Sequence, residues 1–92
     1  MGGYMEEIHR IIESFGESVF DYDTVEMSKS FAQMAAVLES INPYVSPNLM
    51  GRYNEILLTM LNAYEHKDYL LVADLSEFEL KPFIGKIMDG AD

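Results

Sequence analysis

Two histidines, seven serines and sixteen carboxylates hold most of the reactive chemistry of this chain, which has no cysteine. The first group to test is Glu6-Glu7-Ile8-His9, a Glu-x-x-His step with Glu13 four residues beyond His9. In helical bundles, pairs of such steps pointing inward hold di-metal centres. On a helical wheel of ~100° per residue, however, Ile8, Ile11, Ile12 and Phe15 define the buried side, and Glu6, His9 and Glu13 fall toward the other. The second histidine, His66, has Ala63 three residues before it, so no second step exists. The group reads as a solvated face, and no metal ligand is assigned.

Asp21-Tyr22-Asp23 has the opening of a calcium loop, but the required glycine is missing and Ala32 stands where the closing acid belongs. No serine lies in a Gly-x-Ser-x-Gly elbow. The six glycines are scattered and none follows a strand-like run, so no phosphate loop is present. Glu77 and Glu79 are not neighbours on a helix, whereas Glu77 and Lys81 are. No catalytic or cofactor-binding residue is assigned. The expectation is a chain that is not an enzyme and takes no cofactor or small-molecule substrate.

The stronger feature is apolar. Residues 68–88, DYLLVADLSEFELKPFIGKIM, place apolar side chains almost all round a helix, with a polar stripe at Asp74, Glu77 and Lys81. Tyr69, Val72, Ala73, Ser76, Leu80 and Phe83 share one broad face; Leu71, Leu75 and Phe78 lie on another. Such a helix needs cover on more than one side, from its own chain or from another molecule. Leu70, Leu71, Leu75, Phe78 and Phe83 are the candidate protein-interaction residues.

The elements that hold these residues read as about four helices. The first covers residues 4–15 and stops at Gly16. A connector of residues 16–22 carries Val19 and Phe20, aromatic enough to pack down against the protein, with room for a further helical turn. The second helix starts at Asp23, where Asp23 and Glu26 resemble a capping box and Tyr22 can staple Met27. Its face runs Met27, Phe31, Met34, Leu38, Ile41, and Asn42-Pro43 ends it. The third opens at Ser46-Pro47 as cap and first residue. Its face is Met50, Tyr53, Leu57, Met60 and Tyr64, widened by Leu49, Ile56 and Leu61. His66 and Lys67 meet its last carbonyls. Asp68 caps the fourth, so helices three and four form a hairpin or one bent helix. Pro82 predicts a kink or break near residues 78–81, and residues 90–92 read as a frayed tail. No internal repeat is visible.

The whole reads as one all-α domain over residues 1–92, a small up-and-down helical bundle. Hydrophobic residues make up 49% of it, enough for a core. Sixteen acids against six bases give a net charge of −10, which disfavours nucleic acid and anionic membranes as partners. Five acids, Glu13, Glu17, Asp21, Asp23 and Glu26, fall in a stretch with no lysine or arginine, where a basic partner would find its complement. No run approaches a membrane span. The opening MGGYMEEIHR lacks the apolar core of a signal peptide, and Glu6 breaks the myristoylation pattern. A cytoplasmic setting follows from these features.

The segment EHKDYLLVADLSEFELKPF, residues 65–83, ends in Glu79-Leu80-Lys81-Pro82. It resembles stretches in small uncharacterised bacterial all-helical proteins, and the resemblance carries no activity. Small acidic secretion and flagellar-export chaperones are similar in helical-hairpin style alone. The expected function is a protein-interaction or assembly module, homodimeric through its third and fourth helices. The alternative is a small acidic chaperone or adaptor that binds an amphipathic helix of another protein.

Overall fold

Apolar residues at steps of three and four dictate helix throughout. In a computed structural model describing residues 2–90, all of them are helical apart from three short connections at residues 21–23, 45–46 and 66–68. The all-α class expected from the sequence is the class observed. The chain divides into two units, Met1–Pro43 and Tyr44–Asp92.

The first unit is a hairpin of α1 (Gly2–Phe20) and α2 (Thr24–Ile41). Ile8, Ile11, Ile12, Phe15 and Ser18 are buried on α1, and Met27, Ser30, Met34, Val37, Leu38 and Ile41 on α2. Between the helices the Phe15 and Phe31 rings lie 6.2 Å apart at 50°, and the Ser14 and Ser30 hydroxyls are 3.2 Å apart. Gly16 does not stop the helix. It lies in the helical interior, because the stop is made later by backbone hydrogen bonds. The Tyr22 N–H donates to Val19 at 3.1 Å and the Asp23 N–H to Ser18 at 2.9 Å. Tyr22 takes the left-handed conformation, φ 56°. This is a Schellman closure with tyrosine where glycine is usual. Asp23 then caps α2, its carboxylate accepting from the Glu26 N–H at 3.1 Å. A 3-10 turn, Asn42–Tyr44, follows α2.

The second unit contains α3 (Pro47–Glu65), α4 (Tyr69–Leu75), a π-helical turn (Ser76–Leu80) and α5 (Lys81–Gly90). Ser46 occupies the cap position of α3, but its hydroxyl donates to Asn48 Oδ1 at 2.7 Å and not to α3's backbone. The Lys67 N–H donates to Tyr64 at 3.0 Å and the Asp68 N–H to Ala63 at 2.8 Å, with Lys67 at φ 61°. A hairpin is the outcome, not one bent helix. Tyr53 stacks on Phe83 at 6.3 Å, and Tyr64 meets Tyr69 edge-on at 5.6 Å.

Pro82 does not break the last helix. The backbone widens just before it, so that the Lys81 N–H reaches the Ser76 carbonyl five residues back. Proline has no N–H to donate and crowds the carbonyl four residues earlier, and a wide turn relieves the crowding. The spacing of the core supplies a second cause. Val72, Ser76, Leu80 and Ile84 are each fully buried and each four residues apart. In an α-helix a four-residue step overshoots one turn by ~40°, so three steps would carry Ile84 ~120° off the face. One π turn takes up the extra residue and returns Ile84 to the core. Ala91 and Asp92, in the expected frayed tail, lie outside the described residues.

The two hairpins correspond position by position. α1 and α3 are 19 residues each, and Asp23 and Asp68 hold the same place in the turn. Buried Ile8, Ile11, Phe15, Ser18 and Met27 match Tyr53, Ile56, Met60, Ala63 and Val72, 45 residues on. Beyond Val72 the match continues at 46: Ser30, Met34, Leu38 and Ile41 pair with Ser76, Leu80, Ile84 and Ile87. The added residue is the one the π turn absorbs. A repeat that the sequence hides is therefore present in the pattern of burial.

Candidate protein-interaction surfaces

Glu6, His9 and Glu13 are all exposed on α1, opposite its buried stripe. His66 Nδ1 donates to the Asn62 carbonyl at 2.8 Å and so serves the end of α3. The Asp23 and Asp68 carboxylates are occupied as caps, the latter accepting from the Leu71 N–H at 3.3 Å. Among the described residues, no three His, Cys, Asp or Glu side chains are placed to hold a metal ion. Among the described residues, Tyr53 is the one titratable group that burial moves far: its phenol is pushed up to about 12 and stays neutral. Arg52 is exposed and held more firmly charged by its hydrogen bond to Glu55, with the charges of Glu55 and Glu79 adding to it.

The expected interaction residues divide into two groups. Leu70 is 66% exposed, Leu71 40% and Phe78 70%. Leu75 and Phe83 are half-buried, and Phe83 packs its ring on Tyr53. Leu71, Leu75 and Phe78 follow the outward row of α4 into the π turn, and Val72, Ser76 and Leu80 form the inward row. Phe83 therefore stabilises its own hairpin, and Leu70, Leu71 and Phe78 are the residues offered to solvent. Leu58 and Leu61 on α3 are exposed as well. With Asn62 and Glu65 they line a shallow, open depression.

The first hairpin exposes a different set. At its turn Phe20 is 85% exposed, Tyr22 88% and Val25 74%. Within the connector Ser18 is buried and Val19 half-buried, but its aromatic residues Phe20 and Tyr22 do not pack down, and Tyr22 does not staple Met27. The left-handed backbone at Tyr22 leaves its ring in solvent while Met27 is buried without it.

The family described as Domain of unknown function (DUF8042) matches residues 2–90, which takes in both hairpins. The chain belongs to that family. No curated protein and no solved structure gives a match to it. Within the DUF8042 span, no described helix is long and apolar enough to cross a membrane. Sequence reading of the DUF8042 chain missed Leu58, Phe20, Tyr22 and Val25 as exposed residues, and it counted Leu61 as core. Only Leu58 carried a usable signal. It stands ~140° round α3 from Tyr53 and ~160° from Ile56 on the wheel.

Proposed function

We propose that this chain is a non-enzymatic interaction or assembly module of the bacterial cytoplasm that pairs with a second copy of itself through its α3–α4 hairpin. The observation that carries this reading is the exposure of Leu70, Leu71 and Phe78 from α4 into the π turn, with Leu58 and Leu61 exposed on α3 as well. Fully covering one such side chain is worth about 1.5–3 kcal/mol, so a self-complementary contact has material to work with. The net charge of −10 suits a chain that stays soluble while it exposes this much apolar surface.

The test is solution mass by size-exclusion chromatography with light scattering across a range of concentrations. A dimer is expected, and Leu71→Asp and Phe78→Asp should each give a folded monomer. A monomer at every concentration would overturn the homodimer. A second reading, an adaptor that receives an amphipathic helix of another protein, is favoured by the exposed aromatic turn of the first hairpin.

A further inference from the structure

We propose that the α1–α2 turn is a docking surface for a lysine- or arginine-bearing amphipathic helix of another protein, whose apolar face covers Phe20, Tyr22 and Val25. The inference rests on the adaptor reading and not on the homodimer.

Three observations converge on it. Phe20, Tyr22 and Val25 lie within six residues and are the most exposed large apolar side chains of the first hairpin. Aromatic anchors of this kind supply most of the energy of protein interfaces. Their platform is pre-ordered, because the turn is closed by the bonds to Ser18 and Val19 and by the Asp23 cap. An ordered surface loses little entropy on binding.

The charge around the anchors is mainly acidic, with Lys29 one helical turn beyond Val25 as the base nearest to them in sequence. Glu13, Glu17, Asp21, Asp23 and Glu26 have no lysine or arginine between them in sequence, and none makes an ion pair among the described residues. In the second hairpin Glu55 and Glu79 share Arg52, and Glu77 holds Lys81. The uncompensated charge thus lies in the same stretch of chain as the exposed rings, and the matching partner is apolar at its centre and cationic at its rim.

Tyr22 adds a third point. Its backbone takes a conformation that glycine adopts at less cost, and its ring packs on nothing that buries it. The side chain is therefore not held by the hairpin's own core, and it is available for contact with another molecule.

The test is fluorescence anisotropy with a labelled peptide that carries leucines on one helical face and lysines on the other. A control peptide has the same composition with the leucines scattered round the wheel. The protein should bind the amphipathic peptide at least about tenfold more tightly than the control. The double variant Phe20→Ser/Tyr22→Gly should lose about tenfold in affinity while keeping its helical circular dichroism and melting transition. Tyr22→Phe should retain binding, and Leu71→Asp should leave it within about twofold. Glu17→Gln/Glu26→Gln should weaken binding and flatten its salt dependence. Equal affinity for the two peptides, or undiminished binding by the double variant, would overturn the proposal. Because Leu71→Asp disrupts only the homodimer contact, a monomeric wild type leaves this proposal standing, and its failure leaves the dimer standing.

Discussion

Ser18, Val19, Tyr22 and Asp23 close the turn of the first hairpin; Ala63, Tyr64, Lys67 and Asp68 close the second through the same two backbone hydrogen bonds and the same aspartate cap. The side chains mounted on that shared frame differ in chemistry. The first turn carries aromatic rings among acids, and the second carries His66 and Lys67 beside Leu70 and Leu71. Backbone geometry here is set by bonds that any residue can make, so composition at the turn is free to serve contact. The bodies of the hairpins differ in one way that matters more. The first keeps α-helical register along α2, and the second takes up one extra residue in a π turn.

That difference can be broken by deletion, with the largest effect expected. Removing Ala32 from α2 rotates everything after it by ~100°. Met34, Leu38 and Ile41 then leave the core, and the cooperative melting transition should be lost, since each buried side chain displaced costs about 2–5 kcal/mol. Removing Asp74, which lies in the lengthened step from Val72 to Ser76, together with Pro82→Ala gives the last helix the register of α2. This variant should stay folded, within about 2 kcal/mol of wild type by urea denaturation. Equal damage from both deletions would refute the correspondence of the hairpins.

A second comparison is between Tyr53 and its counterpart Ile8, both buried at the same position. The folded-state pKa of Tyr53 is raised to about 12, above the ordinary value of 10. A raised pKa contributes stability that is fully present below pH ~10 and is lost as pH rises toward 12, by about 3 kcal/mol in all. The first hairpin has no such dependence at this site. Tyr53→Phe should flatten the fall, as read by urea midpoints at successive pH values.

Smaller effects come from glycine. Gly16 and Gly51 lie inside α1 and α3, and a Cβ at either would meet nothing within 4 Å. Gly16→Ala and Gly51→Ala should each raise stability by about 1 kcal/mol. Smallest are the opposite exchanges at the turns. Tyr22→Gly and Lys67→Gly should each stabilise by about 0.5 kcal/mol, by relieving a left-handed backbone at the expense of chain entropy. A large loss at either would show that the side chain supports its own hairpin.

Much of the fold could be read in the sequence. Ile8, Ile11, Ile12 and Phe15 form one buried stripe, as their spacing requires, and the Asp23 and Asp68 caps are where their positions put them. Gly16 misled because a glycine after an apolar run usually marks a stop, whereas this helix is ended by a tyrosine in the left-handed region. Pro82 located the irregularity of the last helix but not its form. The four-residue steps from Val72 to Ile84 contain the extra residue, and they look like ordinary helical spacing until three of them are taken together. Leu71, Leu75 and Phe78 were legible as a second face, and Phe83, on the face of Val72 and Leu80, packs on Tyr53 as that face implies. Phe20 and Tyr22 were not legible, because an aromatic residue in a connector is identical in sequence whether it packs or projects.

The wide turn at Ser76–Leu80 also divides the last helix in time. Pro82 brings no N–H to the ladder, so a carbonyl one turn before it goes without the helical donor it would otherwise have. The chain of bonds that makes a helix cooperative is thinned at that point. Backbone amides on the α4 side and on the α5 side should therefore exchange with deuterated water as two blocks at different rates, with the boundary at the turn. The structure is continuous across that boundary; its opening is not.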